Sequence, residues 1–390
     1  MKAWTFPSAL ELPAPLQEFL SLSIAHGFGP VLVGGAVRDL AMERSVGDWD
    51  FELQHPAGSE TRWQGLLSAL RTKYQLKVEA HHVIRAVDPI DRFEWQFAPP
   101  RLEVYAAKDV FGHGDFETKV AWQLTFAEAA RRRDFTVNAM GALWNGSGFE
   151  LIDPFEGMKH LRAGVLVACD KAHFPKDPVR LLRAYRFAIR FDWQFDADLK
   201  DMIEHMDLSL LSAHYMQEEA RKSTRPFEFW NRLQFHATLP SKFQGGIQNP
   251  QVLEQIYSRY LAEVGHSNAM LAAVFASGEG WHLLLALAGK GENETTVWRH
   301  RRDNIIALKD KTREEFIQVD EVLLKSADFA KLCQLVKAPL TWMQFSWVRE
   351  VFAQYQLDWI LERSWSEPVD VRSYPPEERA LRKVMAWVRA

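Results

Sequence analysis

The hydrophobic pattern of this 390-residue chain changes period near Thr125, and that change limits the fold more than any single motif does. Before it, apolar residues alternate with polar ones or run in short bursts ended by glycine. After it, they recur at three- and four-residue spacing almost to the end. The first pattern builds strands with one buried face and the second builds amphipathic helices, so the expected class is an α+β section followed by an all-helical one. Residues 15–26 open the chain as a helix, with Leu16, Phe19, Leu20, Leu22 and Ile24 on one face and Gly27 as a stop. Val31-Leu32-Val33 then runs into Gly34-Gly35, and 36–42 has helical composition, which reads as strand, glycine turn, helix. Trp49, Phe51 and Leu53 alternate with Asp48, Asp50 and Glu52, the period-two mark of a half-buried strand. A helix over 59–73 with Ser59 as its cap follows, then strands at 76–87, 92–97 and 102–106. Residues 108–121, with Gly112 and Gly114, read as a mobile loop. Helical patterns then cover 125–140, 177–191, 196–211, 250–264, 267–288, 305–334 and 341–363. No fixed-period repeat and no low-complexity tract interrupts them.

Several function classes drop out on composition. Cys169 and Cys333 stand far apart, with no Cys-x-x-Cys and no Cys/His cluster, which argues against a disulfide framework or a structural zinc site and for a reducing, cytoplasmic setting. The first residues carry Pro7, Pro13 and Pro15 and lack a continuous apolar core, which argues against a signal peptide. The most apolar stretch, 269–288, is broken by Gly278, Glu279 and Gly280 and falls short of a membrane span, so no membrane partner is expected. A net charge of −4 supplies no global pull on a polyanion, so any nucleic-acid face must be local. Between 131 and 190 there is such a face in the sequence: eleven basic residues stand against six acidic ones. The fifteen tryptophans, mostly at helical spacing in the second half, read as core rather than as platforms for bases.

Chemistry concentrates around the glycine turn. Gly34 and Gly35 followed by a helix bearing Arg38 present backbone N–H groups and a guanidinium suited to a phosphate. Asp48 and Asp50, one residue apart on a strand, point the same way and repel each other unless a hard divalent cation sits between them. A phosphate cradle with a metal-binding carboxylate pair implies metal-assisted phosphoryl or nucleotidyl transfer, Mg²⁺ being the natural ion. Glu103, on a later strand, is expected to add a third catalytic carboxylate if that strand neighbours the aspartate strand.

Gly34-Gly35-Ala36-Val37-Arg38-Asp39 with Asp48-Trp49-Asp50 resembles the first motif of class II tRNA nucleotidyltransferases, the CCA-adding enzymes, and of the bacterial poly(A) polymerases related to them. Three more motifs appear in order over the N-terminal half. Arg132-Arg133-Asp134-Phe135-Thr136-Val137-Asn138-Ala139 is similar to a motif that contacts the incoming ribose, which implies that Arg133, Asp134 and Asn138 bind nucleotide. Asp153-Pro154-Phe155 with Gly157 and Leu161 resembles a hinge in the neck. Asp177-Pro178-Val179-Arg180-Leu181-Leu182-Arg183 resembles a protein template for C and A, with Asp177 and Arg180 reading the base and Arg183 and Arg186 close by. On a helix Asp177 and Arg180 stand about 60° apart, which presents one acceptor and one donor edge together. Lys176 occupies the place of the family's usual Glu, so Arg180 is expected to be held loosely, with some UTP or GTP misincorporation.

The resemblance implies a catalytic head over 28–142 behind an N-terminal helix at 1–27. A nucleotide-selecting neck over 143–222, a helical body over 223–310 and a tRNA-binding tail over 311–390 would follow. It implies a cytoplasmic monomer that adds C, C and A to the tRNA 3′ end from CTP and ATP, with the 108–121 loop needed for the switch from C to A. A poly(A) polymerase, or an enzyme adding only CC or only A, shares the same motifs. A catalytically inactive RNA-binding relative fits less well, because Asp48 and Asp50 are intact. A fused phosphohydrolase is excluded by the lack of any His-Asp dipeptide.

Overall fold

The structure is a computed structural model and describes residues 11–55, 60–105, 111–288, 292–318, 326–336, 345–360 and 370–389. It divides into two compact units, Met1–Ser212 and Ala213–Ala390, a boundary that falls inside the expected 143–222 neck.

The first unit is built on a seven-stranded sheet. In chain order its early elements are α1 (Ala14–Ala25), β1 (Gly29–Val33), α2 (Gly35–Ala41), β2 (Asp50–Gln54), α3 (Glu60–Arg71), β3 (Gln75–Val78), β4 (Ile84–Val87) and β5 (Glu94–Ala98). They are followed by β6 (Arg101–Tyr105), β7 (Phe116–Val120), α4 (Phe126–Ala130), β8 (Gly141–Trp144) and β9 (Phe149–Ile152). The sheet order is β3-β4-β5-β2-β1-β8-β9, with β2 and β5 parallel and every other pair antiparallel. One face carries α1, whose Phe19 ring lies 5.2 Å from Phe51, 5.0 Å from Phe97 and 5.9 Å from Trp95. Each such ring removed from water contributes roughly 2–3 kcal/mol. The same alternation that puts Phe51 and Leu53 in this core turns Asp50 and Glu52 to the opposite face. Near its end β1 is buried on both sides, Leu32 against α1 and Val31 and Val33 against Phe126 and Ala139, which explains its unbroken apolar run.

Several expectations need correction. Residues 76–87 are two antiparallel strands joined by a turn, not one strand. Residues 116–120, expected within a mobile loop, form β7 and pair with β6 from Arg101↔Val120 to Tyr105↔Phe116, while 106–110 lie outside the described residues. The expected cap Ser59 also lies outside them. The expected helix over 125–140 is only α4, closed by a Thr125–Glu128 capping box; the chain then turns and supplies β8 and β9 to the sheet, past the expected head boundary at 142. The helix-like spacing of 125–140 arises because Phe126, Ala130 and Ala139 all cover β1 from separate short pieces.

The unit closes with α5 (Gly157–Ala163), a two-stranded parallel pair of β10 (Val165–Leu166) with β11 (Gln194–Phe195), α6 (Val179–Phe191) between them, and α7 (Ala197–His205). The Asp153 carboxylate accepts from the N–H groups of Gly157 at 2.6 Å and Met158 at 2.9 Å and so starts α5. Residue 157 must be glycine, because a Cβ there would lie 2.4 Å from the Thr136 carbonyl oxygen.

The second unit is helical: α8 (Ala213–Lys222), α9 (Pro226–Leu233), α10 (Pro250–Ser277), α11 (Trp281–Ala288), α12 (Glu292–Ala307), α13 (Arg313–Ile317), α14 (Ala327–Val336), α15 (Ser346–Gln354) and α16 (Pro376–Arg389). Gly265, at φ +75°, breaks α10 where the sequence pattern paused between 264 and 267. The expected helix over 305–334 is divided among α12, α13 and α14, with 319–325 outside the described residues. Aromatic packing holds this unit together: Phe275 lies 5.6 Å from Trp347 and 6.0 Å from Trp298. Trp230 and Trp347 are buried, as expected for core tryptophans.

Candidate active site

The site lies on the face of the sheet opposite α1. Gly34 adopts φ +73° and ψ −135°, which only glycine takes without strain, and it turns the chain from β1 into α2. A Cβ at Gly34 would meet Nη1 of Arg133 at 3.3 Å, so the second arginine of the Arg-Arg-Asp string stands against the glycine turn. Asp48 is exposed just before β2 and Asp50, half-buried, is its first residue. Among the described residues neither makes a hydrogen bond or a close ion pair. Burial raises the Asp50 pKa, with Arg133 opposing and Asp48 reinforcing the shift. That mutual repulsion is what a divalent cation relieves, and the open side of Asp48 leaves room for the ion's other ligands.

Beneath the pair is a cavity of about 160 Å³ lined by Asp50, Glu52, Gln96, Arg101, Arg132 and Arg133. Arg132 is half-buried and its Nη2 stands 3.5 Å from the buried Glu52. Burial, with Arg133 and Arg101 adding repulsion, brings its pKa down to about 10. The Nε–H groups of Arg101, Arg132 and Arg133 are buried without a hydrogen-bond acceptor. Three guanidiniums against two carboxylates, with donors to spare, suit a polyanion. Glu52, Arg101 and Arg132 were not singled out from sequence. The alternation with Asp50 places Glu52 on this face, but nothing local in the sequence marks Arg101.

Glu103 corrects its expectation. Its strand, β6, pairs with β7 and is not part of the seven-stranded sheet, so Glu103 does not join Asp48 and Asp50. Among the described residues no third His, Cys, Asp or Glu completes a metal cluster. The Glu103 carboxylate instead meets Arg180, Nη2 to Oε2 at 3.3 Å, and accepts from the Tyr105 hydroxyl at 2.9 Å. Arg180 also donates to the carbonyls of Arg132 at 2.7 Å and His173 at 3.1 Å. The loosely held Arg180 expected from Lys176 is therefore not what the structure has.

Asp177 faces Arg180 at 3.9 Å and accepts from the Val179 N–H at 3.0 Å. Its Oδ1 also lies 3.0 Å from Nδ1 of His113, which sequence reasoning passed over while noting the glycines on either side. Asp134, Asn138 and Arg38 form a buried polar knot, joined by the half-buried Arg183. Asp134 accepts from Arg183 Nε at 2.7 Å, Asn138 Nδ2 at 3.0 Å and its neighbour's N–H at 2.8 Å. Asn138 in turn accepts from Arg38 Nη1 at 2.6 Å. Arg38, which sequence placed at the phosphate, is buried, folded back over Gly35 and paired with Asp39 at 2.7 Å. Its guanidinium also lies 5.1 Å from the Phe187 ring, as does that of Arg186 at 4.5 Å. The arginine row of α6 is thus largely packed rather than solvated.

Comparison with known proteins agrees with this geometry. Residues 31–167 match the protein family described as Poly A polymerase head domain. A CC-adding tRNA nucleotidyltransferase from Synechocystis sp. is 30% identical over 177 residues, 45% of this chain and 36% of that protein. A Multifunctional CCA protein from Nitrosococcus oceani is 31% identical over 187 residues, 48% of this chain and 41% of that protein. The matched part thus spans less than half the length of either relative. A solved CCA-adding enzyme in complex with ATP superimposes with a TM-score of 0.64 at 19% identity, covering 97% of this chain and 90% of that one. Among the described residues no helix is long and apolar enough to cross a membrane. Residues 31–167 are accordingly similar to a Poly A polymerase head domain, and the chain has the fold seen in solved CCA-adding enzymes.

Proposed function

We propose that this chain adds C, C and A to the 3′ end of tRNA from CTP and ATP, releasing pyrophosphate, as a cytoplasmic monomer. The observation that carries the reading is the open Asp48/Asp50 pair beside the arginine-lined cavity at the Gly34 turn. Arg101, Arg132 and Arg133 would take the triphosphate, their unused N–H groups pointing to oxygen acceptors. Gly34, which stands against Arg133, would let the triphosphate approach the backbone closely. Asp48 and Asp50 would hold a divalent ion, Mg²⁺ by its preference for oxygen ligands, which when bound supplies charge neutralisation at the phosphates. Asp50 lines the cavity with the arginines and would align the reacting phosphate; Asp48, exposed, would leave its side open to an RNA 3′ hydroxyl. Asp177 and Arg180 would read the base. An acceptor and a donor edge suit C and A, whereas U and G set a donor against the guanidinium. Asp134 and Asn138, placed in the knot beside Arg38, would fix the ribose-facing wall. The neck over 143–222, body over 223–310 and tail over 311–390 would position the tRNA. The name of the Synechocystis relative favours one alternative, addition of CC alone.

The test is to incubate the purified chain with tRNA lacking its 3′ CCA, with CTP, ATP or both. Growth by three nucleotides with both, and by two with CTP alone, is expected. A stop at two with both nucleotides present establishes CC addition, long A tails establish a poly(A) polymerase, and no product with Mg²⁺ present refutes the reading.

A further inference from the structure

We propose that Glu103, with Tyr105 beside it on the β6–β7 hairpin, is the positioning residue that orients Arg180 and thereby sets which base the Asp177–Arg180 pair accepts. The inference rests on the nucleotidyl-transfer reading and deepens it.

Arg180 is on α6 and 6% exposed at its side chain, and among the described residues two carboxylates stand within ion-pair distance of it. Asp177 is one, at 3.9 Å from Nε. If Asp177 turns its oxygens to a nucleotide base, it ceases to be an anchor for the guanidinium. Glu103 then remains as the charged partner, at 3.3 Å from Nη2. A closed triangle fixes it: Arg180 Nη2 donates to the Tyr105 hydroxyl at 3.3 Å, and that hydroxyl donates to Glu103 Oε2 at 2.9 Å. The backbone carbonyls of Arg132 and His173 hold the same end of the guanidinium from two other sides. With its far end clamped, the planar fork keeps one orientation, so the edge it offers to a base is fixed.

Lys176 fits this division of labour. Next to Asp177, it has no acceptor for an N–H of Arg180, and its ammonium lies 5.4 Å from the centre of the Tyr105 ring. The lysine therefore supports the hairpin that carries the anchor, and the carboxylate comes from a strand remote in sequence.

The experiment extends tRNA ending before its CCA with each nucleotide offered singly, and compares kcat/KM for CTP with that for UTP. In Glu103→Gln the CTP-over-UTP ratio is expected to fall about tenfold or more, as the loss of one charge-assisted contact allows. The loss should lie in KM and in choice of base rather than in kcat. Tyr105→Phe, which keeps the ring, should lower the ratio by about threefold, half the effect in free energy. Adding Lys176→Glu to Glu103→Gln puts a carboxylate back near Arg180 and should restore most of the ratio, which a merely structural role for Glu103 does not predict. Unchanged ratios in both single variants, or a lowered ratio with no rescue, overturn the proposal while transfer by the wild type stands. No transfer by the wild type overturns the functional reading and this inference together. Should Glu103→Gln fail to fold, Tyr105→Phe decides.

Discussion

Two clusters of acidic side chains in the first unit are treated in opposite ways. Asp48 and Asp50 stand at the start of a strand, exposed and half-buried, with no hydrogen bond among the described residues. Asp134 is buried and accepts from an arginine, an asparagine and a backbone N–H. The difference separates work from support. A carboxylate kept without partners is strained by its twin and ready for a cation, while a saturated one stores its charge in the fold and holds neighbouring groups still.

The contrast breaks most sharply on substitution. Asp48→Ala or Asp50→Ala should reduce nucleotide addition by about a thousandfold or more, since each removes a ligand of the ion that offsets the phosphate charge. The melting temperature should stay within a few degrees, because no protein partner is lost. Single-turnover extension assays and thermal melts check this together. A large drop in melting temperature would move the aspartates into the supporting class. Removing divalent ions with EDTA should stop transfer in the same way, with Mg²⁺ restoring it.

Asp134→Ala should do the reverse and unfold the first unit more readily, by roughly 3 kcal/mol, since it removes the buried carboxylate to which Arg183 and Asn138 both donate. Denaturant titration reads this. The pH dependence has a definite sign. Burial pushes the Asp134 pKa up, but Arg183, Asn138 and the Phe135 N–H outweigh it and hold the carboxyl at about 2. A depressed folded value means that its stabilisation, roughly 2–3 kcal/mol, is present above the ordinary aspartate pKa and fades from about pH 4 down to about pH 2. In Asp134→Asn that part of the acid transition should be missing.

A smaller break comes at Gly157. Its added methyl would meet the Thr136 carbonyl at 2.4 Å and Met140 at 2.7 Å, so Gly157→Ala should cost roughly 1–3 kcal/mol by forcing α5 away from the turn that carries Asn138. Loss of stability without any change in nucleotide choice would sharpen the division between support and work. A change in ribose preference would show that the two are coupled through this turn.

How much of this was legible in the sequence follows from how local each feature is. The glycine turn, the strand with Asp48 and Asp50 and the helix with Arg180 depend on neighbours a few residues apart, and the sequence carried them. Glu103 was misplaced because its role depends on strand order: β6 leaves the main sheet for a hairpin with β7, and no periodicity in 102–106 records that. The break after α4 was hidden because Phe126, Ala130 and Ala139, covering β1 from separate short pieces, mimic helical spacing over 125–140. Arg38 looked like a phosphate ligand by its position, yet its length lets it fold back to Asn138, a contact a hundred residues away. The weakness attributed to Lys176 likewise assumed a local partner, when the acceptor comes from β6.

The smallest expected effect concerns a residue between the two classes. Asp177 is held by the protein through Arg180 and the Val179 N–H, but its Oδ1 also meets His113, which is partly exposed. The hydrogen bond to Asp177, against the opposing effect of burial, raises the His113 pKa above its ordinary value. A raised folded value makes the pair's contribution to stability full below the usual histidine pKa and lost as the pH climbs through the raised one. Because His113 is partly solvated, that contribution should be below about 1 kcal/mol. Its larger consequence is competition, since a base edge and a protonated imidazole seek the same carboxylate oxygen. The KM for CTP should therefore rise by a few fold between pH 8 and pH 6 in the wild type and hold steady in His113→Ala, with kcat little changed in either. No rise in the wild type would mean that His113 leaves Asp177 before the nucleotide arrives, and Asp177 would then belong wholly with the working carboxylates; an equal rise in both proteins would assign the pH effect to another group.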